Sequence, residues 1–289
     1  MDYLNSLIDN TNGWLDAALH KRSIKKNKQV IQDIKSDLQA EYLKYESIIN
    51  LYTDSVPTVT FIGDDQKKTL IDYYEAPPKK LAELFKNRRN NNLKKCPYCA
   101  NPLHPNTLDH FIPKNDYPHF SIFQNNLVPQ CLKCASIKGE KYYDASFGCI
   151  FIHPFYSDIL SRIKINFDIV FLTAINNINI SNIIIKLENG HTMENERVKK
   201  YLNALDFKNR LQEYCVKQFG ILRKESKKNS FDLDVFINGK LTISAQNNRD
   251  WETAFYTALQ ANIQAITFLK NLMPKASCVS KISSTEFSL

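Results

Sequence analysis

Apolar residues between positions 24 and 52 (Ile24, Val30, Ile31, Ile34, Leu38, Leu43, Tyr45, Ile48, Ile49 and Tyr52) recur mostly at three- and four-residue spacing, with Lys, Asp and Glu between them. That spacing predicts one long amphipathic helix. Pro57 and Gly63 place residues 53–65 in a loop. A second helix is expected over 66–75, Pro77-Pro78 ends it, and a third runs from Lys79 to Arg89. After Lys141 the pattern changes to short β-branched and aromatic runs at 151–153, 163–172 and 178–187, which read as strands. Helical periodicity returns over 193–224, a β-like piece covers 231–244, a last helix runs over 250–273, and the Ser-rich tail after Cys278 reads as frayed. The fold class predicted is α+β: a helical arm at 1–92, a cysteine-bearing module at 93–145, and an α+β region at 146–289.

Composition narrows the function classes. The 289 residues carry 38 Lys plus Arg against 30 Asp plus Glu, a formal charge of +8, which points mildly towards a polyanionic partner. Glycine is scarce at 7 while Tyr and Phe number 14 and 17, as in a packed globular chain. The start Met1-Asp2-Tyr3-Leu4-Asn5 lacks the features of a secretory signal, and the apolar stretch 165–185 is broken by polar residues. A cytoplasmic protein without a membrane partner is therefore expected.

Of seven cysteines, four form two Cys-x-x-Cys pairs, Cys96/Cys99 and Cys131/Cys134. In a reducing compartment such pairs read as a tetrahedral, four-thiolate zinc site rather than disulfides. A four-cysteine zinc has no open position for water, so it staples and does not catalyse. Cys149, Cys215 and Cys278 are left over as buried or indifferent thiols. The 31 residues between the pairs hold Asp109-His110 and Asn125-Asn126-Leu127-Val128-Pro129. A carboxylate such as Asp109 suits a hard cation, Mg²⁺ or Mn²⁺, and His110 can serve as a base near neutral pH. Adjacent strand residues face opposite ways, so both serve one site only if the step lies at a strand end, which Pro113 marks. The basic cluster Arg88, Arg89, Lys94 and Lys95 abuts this motif and could touch phosphate, whereas the Lys21–Lys28 run reads as a solvated face. His104 reads as a surface or packing residue, His153 as core, and His119 as packing with some claim to a phosphate or base.

Together, Cys-Pro-Tyr-Cys at 96–99, Leu-Asp-His-Phe-Ile-Pro-Lys at 108–114, Asn-Asn-Leu-Val-Pro-Gln-Cys at 125–131 and the following Cys-x-x-x-Lys-Gly resemble the HNH endonucleases that embed a four-cysteine zinc in a ββα-metal fold. Weaker echoes at 153–156 and 251–259 resemble HNH proteins of bacterial anti-phage systems, including the Septu-type partner of an ABC-family ATPase and retron effectors. The resemblance implies that His110 is the general base, Asp109 a catalytic-metal ligand, and Asn126 the residue fixing the ββ turn and orienting His110. It also implies that Lys138 approaches a phosphate; Lys114 and His119 are further candidate nucleic-acid contacts. DNA is the favoured substrate, RNA the alternative, and an ATPase the expected partner of the long helix and C-terminal region. One position departs from the pattern. Where the family has Asn or His directly after the second knuckle, this chain has Ala135, whose methyl group coordinates nothing. Recruitment of another oxygen, a natural loss of catalysis, or replacement of an Asn by Ala would each account for it, and the intact remainder of the motif favours the last. The contrasting expectation is a non-catalytic zinc module that binds nucleic acid or serves as a scaffold.

Overall fold

The computed structural model describes residues 1–21, 25, 27–90, 92–243 and 248–274. The chain forms two compact units, one of residues 1–165, 185–209 and 249–251, the other of 166–184, 210–248 and 252–289. Residues 1–92 and 93–145, expected as arm and module, thus lie in one unit, while 146–289 is shared between both.

The first unit opens with helices α1 (Gly13–Ala18), α2 (Lys28–Asp33), α3 (Lys35–Asn50), α4 (Asp64–Glu75) and α5 (Lys79–Arg89). The long helix expected over 24–52 is therefore two, since Ile34 leaves helical geometry with φ −104° and ψ 13°. Ile24 lies outside the described residues. The periodicity survives the break because Ile31, Leu38, Tyr42, Tyr45 and Ile49 still point into one core. Helix α4 starts two residues earlier than its apolar pattern, behind Gly63, whose amide donates to Gln66 Oε1 at 3.1 Å. Asp64 and Asp65 complement its positive end.

Strands β1 (Thr107–His110) and β2 (Leu127–Gln130) pair antiparallel, with Thr107 opposite Gln130, Asp109 opposite Val128 and His110 opposite Leu127. Helix α6 (Leu132–Lys138) follows and packs on β1. Its end is set by Gly139, whose φ of +49° favours glycine. A small hairpin of β3 (Tyr143–Asp144) and β4 (Gly148–Cys149) comes next. Gly148, at φ +92°, lies so close to the end of α3 that an added Cβ would stand 2.4 Å from the Tyr52 carbonyl oxygen. That close approach lets Cys149 donate its amide to the same oxygen at 2.6 Å.

Beyond this point, 151–153 packs without strand structure, its Phe151 and Ile152 fully buried in irregular backbone. The paired strands β5 (Ile163–Leu172) and β6 (Asn177–Leu187) agree with the period-two pattern to within a residue. Helices α7 (Thr192–Ala204) and α8 (Phe207–Glu225) replace the single run expected over 193–224, because Asp206 adopts φ +50° between them. The 231–244 segment corrects the sequence reading: it is helix α9 (Leu233–Ile243), not a β-like piece. Its apolar residues misled as strand formers, yet Leu233 and Ile237 are buried four apart, and Asp232 Oδ1 accepts from the Val235 amide at 2.9 Å as an N-cap. The last helix is likewise two, α10 (Trp251–Ala261) and α11 (Ile263–Asn271), with Asn262 capping the second by accepting from the Ala265 amide at 2.8 Å. No described helix is long and apolar enough to cross a membrane.

Candidate functional site

Cys96 and Cys99 sit in a tight turn in which the Ala100 amide donates to the Cys96 carbonyl at 2.9 Å and Ala100 takes φ +62°. Cys131 precedes α6 and Cys134 lies in its first turn. All four sulfurs are buried and fall within 4.8 Å of one another, with Cys96 Sγ to Cys134 Sγ and Cys99 Sγ to Cys131 Sγ both 3.9 Å. A tetrahedral zinc with Zn–S near 2.3 Å sets its sulfurs about 3.8 Å apart, so the set fits a metal such as zinc. The Cys131 amide donates to Cys96 Sγ at 3.4 Å, a contact that favours a thiolate. The four are not disulfide-bonded. Cys149 and Cys215 are buried free thiols, and Cys278 lies outside the described residues.

Asp109 is half-buried on β1, and α6 faces it. Lys138 Nζ stands 3.6 Å from Asp109 Oδ2, and the lysine side chain is only 1% exposed. The expectation that Lys138 meets a phosphate thus encounters an ammonium enclosed beside a carboxylate; burial lowers its pKa and Asp109 opposes that shift. Ala135 lies three residues before Lys138 and therefore on the same face of α6, so a longer polar side chain at 135 would point towards β1. The Gln130 amide nitrogen donates to Asp109 Oδ2, a contact the sequence reading missed.

His110 ends β1, 4% exposed, with Nε2 2.9 Å from the Ser121 carbonyl oxygen. A carbonyl only accepts, so Nε2 carries the proton and Nδ1 keeps its lone pair in the neutral ring. Burial pulls the His110 pKa down to about 3, and the ammonium groups of Lys138 and Lys114 add to the shift. Tyr74 of α4 packs edge-on against the imidazole at 4.2 Å and donates its hydroxyl to the Leu108 carbonyl at 2.7 Å. A cavity of about 290 Å³ beside it is lined by Tyr74, Glu75, Phe85, Arg89 and Leu108. No spacing rule would have singled out Tyr74, which reaches the site through tertiary packing.

Asn126 is fully buried. Its Oδ1 accepts from the Ile112 amide at 2.7 Å and the Tyr45 hydroxyl at 2.8 Å, while Nδ2 donates to the carbonyls of Ile112 at 3.0 Å and Phe120 at 3.1 Å. The loop from β1 to β2 is thereby tied to itself and to α3. His153 is core: its Nδ1 accepts the Phe155 amide at 3.1 Å, so Nε2 bears the proton and faces the Asn125 carbonyl at 3.1 Å and Tyr45 Oη at 3.3 Å.

At this level of detail the chain can be set beside known proteins. No protein-family profile matches it, and no solved structure does. Protein ea31 of Escherichia phage lambda is 33% identical over 89 residues, which is 29% of this chain and 29% of that protein. The chain thus spans less than a third of the length of this curated relative.

The remaining basic residues fall into two groups. Arg88 donates to the Leu7 carbonyl at 2.8 Å and lies 5.3 Å from both the Trp14 and Phe155 rings, so its guanidinium is engaged in the fold. Lys95 sits between Asp2 at 3.4 Å and Asp250 at 3.6 Å, and Lys114 pairs with Glu75 at 3.2 Å. Arg89 and Lys94 are exposed. His119 is buried with neither ring nitrogen hydrogen-bonded, which puts it out of reach of a base or phosphate in this conformation. His104 is exposed, its Nδ1 2.9 Å from the Leu93 carbonyl oxygen.

Proposed function

We propose that this chain is a zinc-stapled nuclease of the HNH type, hydrolysing phosphodiester bonds with a divalent cation held at Asp109 and one protein ligand missing at position 135. The arrangement of His110 carries the reading: with Nε2 committed to the Ser121 carbonyl, the neutral ring keeps Nδ1 unprotonated at the end of β1, one residue after the metal-type carboxylate. The strand–strand–helix order β1, β2, α6 across the four cysteines supports it further. A bound Mg²⁺ or Mn²⁺ would stabilise charge developing at the phosphate and leaving oxygen. His110 would take the proton of the attacking water, Tyr74 would hold the imidazole in place, and Asn126 would fix the turn that presents it. Exposed Arg89 and Lys94 are the cations best placed to meet a phosphate chain. DNA is the favoured substrate, RNA the alternative, and action as the effector of an anti-phage complex with an ATPase partner completes the proposal.

A second reading has its own observation. Lys138 already gives Asp109 a cationic partner, and with Ala135 beside it the site is neutralised from within, as in a zinc module that binds without cutting. Ala135→Asn separates the two. Cleavage of plasmid, single-stranded DNA and total RNA should appear or rise with Mg²⁺ or Mn²⁺ in that variant if the chain is a nuclease short of one ligand. A variant that stays silent at every metal concentration while binding nucleic acid would establish the scaffold instead.

A further inference from the structure

Resting on the reading of Asp109 as a cation ligand, we propose that Gln130 is the second protein ligand of that cation, supplying through its amide oxygen what position 135 lacks. Gln130 is the last residue of β2 and pairs across with Thr107, one same-face step from the Asp109–Val128 pair. Same-face strand residues diagonal to each other come within reach of long side chains, so Gln130 and Asp109 meet on the face of the hairpin that α6 covers.

Two observations on this side chain point to a cation. Its nitrogen donates to Asp109 Oδ2, and its oxygen Oε1 is buried without any hydrogen-bond partner in a residue 1% exposed. An unpartnered amide oxygen is costly to bury and is rarely tolerated without a reason. A half-turn of the terminal amide exchanges nitrogen and oxygen in almost the same volume. The oxygen would then face the carboxylate, an arrangement that repels unless a cation lies between the two. Hard divalent cations accept this pair of ligands, carboxylate and side-chain carbonyl. Lys138 approaches the same carboxylate oxygen at 3.6 Å and competes for it, which makes the site weak rather than absent.

The test uses the full, zinc-loaded chain and Mn²⁺ alone, with free Mn²⁺ followed by electron paramagnetic resonance and zinc content measured in every sample. The parent should bind one Mn²⁺, and Asp109→Asn should abolish that binding. Gln130→Met, close in size but without the oxygen, should weaken it by about tenfold or more. Gln130→Glu should bind more tightly than the parent, whereas a glutamine that merely orients Asp109 through its N–H would predict weaker binding in this variant. Lys138→Met should also tighten binding. Parental affinity in Gln130→Met with loss in Asp109→Asn overturns the role of Gln130 and leaves Asp109 a ligand. A parent that binds no Mn²⁺, or binds it equally well without Asp109, overturns the metal reading and this inference with it.

Discussion

Asn126 uses both lone pairs and both protons of its amide inside the fold, and the consequence of removing them is large. Each net hydrogen bond contributes about 1 kcal/mol, and a buried partner left unmet costs about 1–3 kcal/mol more. Asn126→Ala should therefore lower unfolding free energy by at least about 3 kcal/mol in urea titrations. Asn126→Asp should do worse, because a carboxylate oxygen would replace the donor that faces the carbonyls of Ile112 and Phe120. His110 answers differently. In the Ala135→Asn background, His110→Ala should reduce cleavage by roughly 10²- to 10⁴-fold with zinc content retained, while loss of the buried ring and its bond to Ser121 lowers the melting temperature. His153 carries a pH prediction. Burial holds its pKa near 3 against an ordinary 6.5, so the folded ring stays neutral where the unfolded one takes up a proton. Its contribution to stability is complete above about pH 6.5 and is lost at about 1.4 kcal/mol per pH unit on acidification towards pH 3. His153→Gln, measured beside the parent from pH 7 to 5, should show a shallower acid slope despite a lower starting stability. Asp109, His110 and Asn126 were readable because their chemistry sits in a dense local motif. Gln130 and Tyr74 were not, since each reaches these residues only through strand register or the packing of a distant helix.

Among the elements, α5 and β5 were legible to the residue because proline or period-two alternation delimits them. Helix α9 shows why others were not. Val235, Phe236 and Ile237 have strand propensities, but a capping Asp232 and a buried pair four apart outweigh them once tertiary packing selects the face. Asp232→Ala should cost about 1 kcal/mol of stability in a denaturant titration. An unchanged midpoint would show that the cap contributes nothing. The breaks at Ile34, Asp206 and Asn262 share a cause: apolar periodicity continues across a local change of backbone direction, so spacing alone cannot reveal them.

On the scale of the molecule, the helices read as an arm form much of the core around the cysteine module. Tyr42 stacks on Phe123 at 4.2 Å, Tyr45 packs on Phe120 and Phe123 at 5.0 Å, and Gln124 Nε2 donates to the Asp9 carbonyl at 2.9 Å. An isolated 93–145 fragment should therefore remain unfolded even with zinc, as judged by amide chemical-shift dispersion, whereas in the full chain Cys131→Ser should lose the metal and the fold of the module together. The same organisation shapes how the protein comes into being. Trp251 closes the first unit: its amide donates to the Ala100 carbonyl at 3.3 Å, on the turn that bears Cys96 and Cys99, and its ring packs edge-on against Phe207 at 5.6 Å. During synthesis Trp251 is added long after Cys96 and Cys99, so a product that stops before it lacks the residue whose amide meets their turn. The first unit therefore cannot finish folding until residues 249–251, far along the chain from its cysteine turn, have been added.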